Sequence, residues 1–67
     1  MDFKLSTEYI HLNSLIKICG ITLSGGEANQ LILTDKVTVN GKIENQKRKK
    51  IRSGDQVEIN KQTINIH

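Results

Sequence analysis

Ser24-Gly25-Gly26-Glu27-Ala28-Asn29-Gln30-Leu31-Ile32, followed shortly by Val37-Thr38-Val39-Asn40-Gly41-Lys42, is the stretch that decides the fold. Serine with glutamate three residues later is the pattern of a capping box, in which each side chain takes a backbone donor at a helix start. Ala28, Leu31 and Ile32 then mark one apolar face, and this helix is expected to end near Asp35. Val37-Thr38-Val39 alternates as a strand does. Asn40-Gly41 is the strongest short-range hairpin signal, because both residues tolerate the positive φ of a type I′ turn.

Working outward, Leu12, Leu15, Ile16 and Cys19 fall at helical spacing, and Gly20 supplies a C-terminal stop. A first helix of roughly two to three turns from about Leu12 follows. Before it, Phe3-Lys4-Leu5-Ser6-Thr7 alternates as a short half-buried strand. After Ile43 comes the basic run Lys47-Arg48-Lys49-Lys50, then a turn at Ser53-Gly54-Asp55. Val57 and Ile59 alternate with Gln56, Glu58 and Asn60, and Ile64 and Ile66 alternate with Thr63, Asn65 and His67. Two more strands are expected there, joined around Lys61-Gln62. Strand, helix, helix and then a run of strands has no βαβ alternation, so the class is α+β: two helices packed on a small, mostly antiparallel sheet.

With 67 residues, the chain is expected to be a single domain over 1–67, near the lower limit for an unaided hydrophobic core. Cys19 is the only cysteine, which excludes an internal disulfide and fits a reducing, cytoplasmic setting. No cysteine–histidine spacing points to zinc, no apolar run approaches membrane-spanning length, and the N-terminus has no signal-peptide pattern. No cofactor, membrane or small-molecule substrate is expected.

Charge is unevenly spread. Lys36 to Arg52 holds seven basic residues against the single acid Glu44, a local charge of +6, whereas the remainder carries −3. Such concentration points to a phosphate-binding surface, although a solvated charged loop also fits. Phe3 and Tyr9 are the only aromatics, and both are expected to pack. A chain so poor in aromatics lacks the stacking platform of single-strand binders, so the shape and phosphates of folded RNA are the better match.

The ordered set of His11-Leu12-Asn13-Ser14-Leu15 through Gly20, Ser24-Gly25-Gly26-Glu27-Ala28, Gln30-Leu31-Ile32, Val37 through Lys42 and Ser53-Gly54-Asp55-Gln56-Val57 resembles the RNA-binding domain named after ribosomal small-subunit protein four, the S-four domain. The resemblance covers about residues 10–59 and implies the fold called the alpha-L RNA-binding motif. His11, Gly25, Gly26 and Asn29 stand where that family usually carries arginine. The Ser-Gly-Gly start and Glu44 through Ile51 look like its small stand-alone bacterial branch, YaaA or YbcJ. Members of that branch have flanking N- and C-terminal strands and are regarded as ribosome-linked RNA-binding proteins. The resemblance therefore implies a structured-RNA partner, ribosomal RNA above all, and a role in ribosome assembly; the chain is expected to be a monomer.

The expected RNA contacts are Lys47, Arg48, Lys49 and Lys50, extended by Lys36, Lys42 and Arg52, with Lys17 projecting from the first helix. They are expected to gather beside the start of the second helix. There Ser24 caps the helix, and the amides of Gly25, Gly26 and Glu27 are candidates to accept a phosphate; alternatively, the glycines only permit a tight turn. His11 is either an RNA donor or an exposed residue at a helix start. Asn13 either meets a phosphate or caps its helix, the second being favoured, and Asn29 occupies an arginine position of the family. Cys19 reads as a small core residue.

No nucleophile–base pair, metal-ligand cluster or phosphate-loop motif is present, so an enzyme is not expected. The competing reading is a protein–protein adaptor whose basic patch meets an acidic partner. DNA binding is weaker, for no helix rich in Arg, Asn and Gln is visible.

Overall fold

The computed structural model describes residues 1–67. Its elements are β1 (Asp2–Phe3), β2 (Ile10–His11), α1 (Leu12–Ile18), α2 (Gly25–Leu33), β3 (Val37–Val39), β4 (Lys42–Ile43), β5 (Lys50–Ile51), β6 (Gln56–Ile59) and β7 (Gln62–Ile66).

Local chemistry sets the helix ends. Ser24 is extended, and its Oγ accepts the Glu27 amide at 3.2 Å, a cap worth about 1 kcal/mol. The reciprocal half of the capping box does not form, so serine alone caps α2. The helix stops at Leu33, two residues before the expected Asp35. Asp35 itself adopts a left-handed φ of 62°, and the amides of Asp35 and Lys36 turn back to the carbonyls of Ile32 and Leu31. At the end of α1, Gly20 plays that part with φ 77°, as the amides of Gly20 and Ile21 reach the carbonyls of Lys17 and Ile16. Both ends are Schellman closures, which satisfy carbonyls that a helix end otherwise leaves bare.

Five strands form one sheet in the order β1-β7-β6-β3-β4, antiparallel except for the parallel pair β1–β7. Asn40 and Gly41 have φ of 52° and 86°, the type I′ turn that their sequence predicts. The β6–β7 turn lies one residue earlier than expected, at Asn60-Lys61, because Ile59 pairs with Gln62 and leaves those two residues central. The N-terminal strand is also displaced. Only Asp2–Phe3 is strand, with the pairing carried on by His67, whose amide bonds the Phe3 carbonyl and whose carbonyl accepts the Leu5 amide. A second, two-stranded sheet pairs β2 with β5 and had no counterpart in the sequence reading.

Alternation sends Val37, Val39, Val57, Ile59, Ile64 and Ile66 to one sheet face, where they are buried with Leu12, Leu15 and Ile16 of α1 and Ala28 and Ile32 of α2. Ile51 of β5 joins them, fully buried. Leu31 and Cys19 sit at the margin, half-buried. Burial pushes the Cys19 thiol up, which favours its protonated form. Two helices therefore cover one face of a mostly antiparallel sheet, and the fold is α+β.

Candidate nucleic-acid interface

The basic segment is threaded between the two helices by its backbone. After β4 the Glu44 amide bonds the Val37 carbonyl at 3.0 Å. Asn45 Nδ2 then donates to the Ile32 carbonyl and to Asp35 Oδ1, fastening the segment to the end of α2. A turn over Gln46–Lys49 follows, closed by the Lys49 amide on the Gln46 carbonyl at 3.1 Å. The carbonyls of Lys47 and Lys49 next accept the amides of Asn13 and Leu12 at 3.0 and 2.9 Å. His11 precedes α1 without a side-chain cap, so the first amides of that helix need outside acceptors. The basic segment supplies two, and Asn13 Oδ1 takes the Ser14 amide at 2.8 Å. The backbone of the segment is thus committed inward, while Lys47, Arg48, Lys49 and Lys50 are all exposed.

Pairing of β2 with β5 sets His11 opposite Lys50. Side chains two residues apart on a strand share a face, so Tyr9 and Arg52 are presented beside them. The Tyr9 ring lies 5.5 Å from the His11 ring at a tilt of 44°. Lys50 Nζ stands 5.0 Å and Arg52 Cζ 5.9 Å from the Tyr9 centroid. Ile51 turns the other way, into the core. Tyr9 was expected to pack like Phe3; instead it forms the aromatic centre of this cationic cluster. The only sequence signal for it was its period-two spacing with His11.

None of the ten lysine and arginine side chains forms an ion pair; the single acid–base contact joins His67 Nε2 to Asp2 Oδ1 at 3.3 Å. Asp55 lies beside Arg52, and its oxygens are spent on the Arg52 amide at 2.8 Å and on Asn40 Nδ2 at 3.0 Å. Desolvation pushes the Asp55 carboxyl up, but those two bonds and the charges of Lys49 and Arg52 together hold it below its ordinary value. Asp55 thus feels Lys49 and Arg52, but no lysine or arginine of the segment makes an ion-pair contact with a carboxylate.

The structure groups His11, Lys50 and Arg52 around Tyr9, and sets the backbone of Lys47 and Lys49 at the start of α1, with Arg48 at the adjoining turn. Lys36 lies instead at the end of α2, its amide bonded to Leu31, and Lys42 lies on the hairpin strand β4. The expected position beside the start of α2 is corrected: the segment bonds the start of α1 and the end of α2. The short 19–24 connection keeps the start of α2 near the end of α1, on the side of Lys17. No bond links Lys17, Ser24, Gly25 or Gly26 to the cluster. The Glu27 amide is taken by Ser24, so only the Gly25 and Gly26 amides are free there. A tight turn does not require these glycines either. Neither has a positive φ, an added Cβ at Gly25 meets nothing within 4 Å, and one at Gly26 meets only Ser24 Oγ at 3.8 Å. Asn13 and Asn29 are occupied with each other, Nδ2 to Oδ1 at 3.0 Å between the helices.

Two helices on one face of a mostly antiparallel sheet, with an uncompensated cationic segment across them, define a fold of the alpha-L type. The chain belongs to the S4 domain family, whose model matches residues 3–67. That family is a non-enzymatic RNA-binding one. YbcJ from E. coli is 30% identical over 97% of this chain and 84% of its own, with a TM-score of 0.74; its solution structure was described as an alpha-L motif involved in RNA binding. The 30S ribosomal protein S4e from Thermoplasma acidophilum shares the fold at 24% identity and a TM-score of 0.71, over 87% of this chain; the chain spans only 31% of that protein's length. No curated protein matches by sequence. No helix is long and apolar enough to cross a membrane.

Proposed function

We propose that residues 1–67 act as one RNA-binding unit that grips structured RNA, ribosomal RNA above all, through the face formed by His11, Lys47, Arg48, Lys49, Lys50 and Arg52. The observation that carries this reading is the absence of any carboxylate partner for those cations while their backbone is fastened at both helices. Cations that need break no ion pair to meet phosphates, carried on a backbone fixed in place, bind RNA by releasing its condensed counterions. Lys36 and Lys42 extend the face toward the end of α2, and Lys17 with the free amides of Gly25 and Gly26 is a separate, weaker contact. The ribosomal origin of S4e, which has the same fold, supports an rRNA partner and a part in ribosome assembly. The protein acts as a monomer in the cytoplasm, where its unpaired Cys19 stays reduced.

Cross-linking in cells followed by sequencing of the attached RNA tests the assignment. Ribosomal fragments should be enriched over a variant in which Lys47, Arg48, Lys49 and Lys50 are all changed to Glu. Equal recovery from both would remove the ribosomal assignment. Recovery of an acidic protein in place of RNA would establish the adaptor reading instead.

A further inference from the structure

We infer that Tyr9, flanked by His11, Lys50 and Arg52, is a seat for one unpaired nucleobase of a folded RNA. This rests on the RNA-binding reading above and names the ligand at its centre. Tyr9 is half-buried and absent from the packed core, whereas Phe3, the other aromatic of its class, packs against that core. The Tyr9 hydroxyl and the His11 imidazole make no hydrogen bond within the chain. Lys50 and Arg52 are exposed and unpaired.

Phosphates ask only for cations, and Lys47 to Lys50 provide those without help from a ring. An aromatic surface among them adds what a base recognises: a π-face for stacking and polar edges for hydrogen bonds. Lys50 and Arg52, held by no carboxylate, are free to move from the ring face to the phosphates on either side of the nucleotide as its base settles on Tyr9. One ring accommodates one base, so the ligand is a bulged or loop nucleotide beside a helix and not an extended single strand.

The probe is a pair of RNA hairpins, one with a single 2-aminopurine bulge and one fully paired. The wild-type protein should quench the bulged 2-aminopurine and bind that hairpin more tightly than the paired one. Tyr9→Leu should abolish the quenching and weaken the bulged hairpin about tenfold, the size of one lost stacking contact, and so erase its preference over the paired hairpin. Tyr9→Phe should retain both quenching and affinity. Tight binding of both hairpins with no quenching and no preference for the bulge would overturn the inference and leave RNA binding standing. Binding of neither would overturn RNA binding itself. A destabilised Tyr9→Leu would lose both hairpins alike, but the wild-type quenching and the Tyr9→Phe result decide the matter without it.

Discussion

Asn13 Nδ2 donates to Asn29 Oδ1 at 3.0 Å, tying the start of the first helix to the middle of the second. The same Asn13 accepts the Ser14 amide through Oδ1, so one side chain both satisfies a first-turn amide of its own helix and clamps the pair. Asn13→Ala should lower stability by about 1–2 kcal/mol, combining a lost first-turn bond with a half-buried amide left short of a partner. Urea denaturation measures this. Because both side-chain groups are already engaged, RNA affinity of the folded variant should stay near wild type.

Gly25 and Gly26 lie in open space at ordinary negative φ. Changing both to alanine should raise stability, by at most about 1 kcal/mol each, since glycine is a poor helix former and nothing obstructs a methyl group. Thermal melts report the gain. RNA affinity should be unchanged if the interface centres on the start of α1; a clear loss would extend it to the start of α2.

Lys61 occupies the second central position of the β6–β7 turn with φ 65°, where a side chain is strained. Lys61→Gly gives this turn the Asn-Gly pair already present at Asn40-Gly41. Stability should rise by about 1 kcal/mol, the usual penalty of a left-handed non-glycine residue. An unchanged urea midpoint would contradict this.

The Asn40-Gly41 turn, the Gly20 stop and the Ser24 cap are legible in the sequence because each depends on residues adjacent along the chain, whereas the β6–β7 turn lies one residue before its expected place. Asn40-Gly41 needs only its own φ preferences, and Val37, Val39, Val57 and Ile59 need only alternation. The β2–β5 pair was hidden because two-residue strands show no period, and its register is set by where residues 10 and 51 meet. The docking of the basic run on α1 was equally silent. Its bonds run from the carbonyls of Lys47 and Lys49, which every residue type possesses. The charge of the run was readable from side chains, but its location was decided by backbone. Tyr9 was misassigned for the same reason: its role appears only once β5 lies beside it.

Acid should weaken the fold. Asp2 is lowered from the ordinary 3.8, first by its bond to His67 and then by Asn65. Asp55 is lowered too, because the Arg52 amide and Asn40 outweigh its desolvation. A carboxyl whose folded pKa lies below its unfolded one contributes stability that is complete above the unfolded value and is lost as pH falls through the folded one. Stability from both groups should therefore be intact above 3.8 and decline progressively below it. Asp55→Asn should flatten part of that decline in urea titrations at stepped pH.

Salt dependence of RNA binding shows whether the cations around the start of α1 meet phosphates. Log affinity for a structured rRNA hairpin should fall linearly with log salt, and Lys47→Gln, Lys49→Gln and Lys50→Gln should each reduce the slope by about one. Lys61→Gln, on the β6–β7 turn, should leave it unchanged. Equal slopes for all four variants would mean that the cations around the start of α1 meet no phosphate, contradicting an RNA interface there.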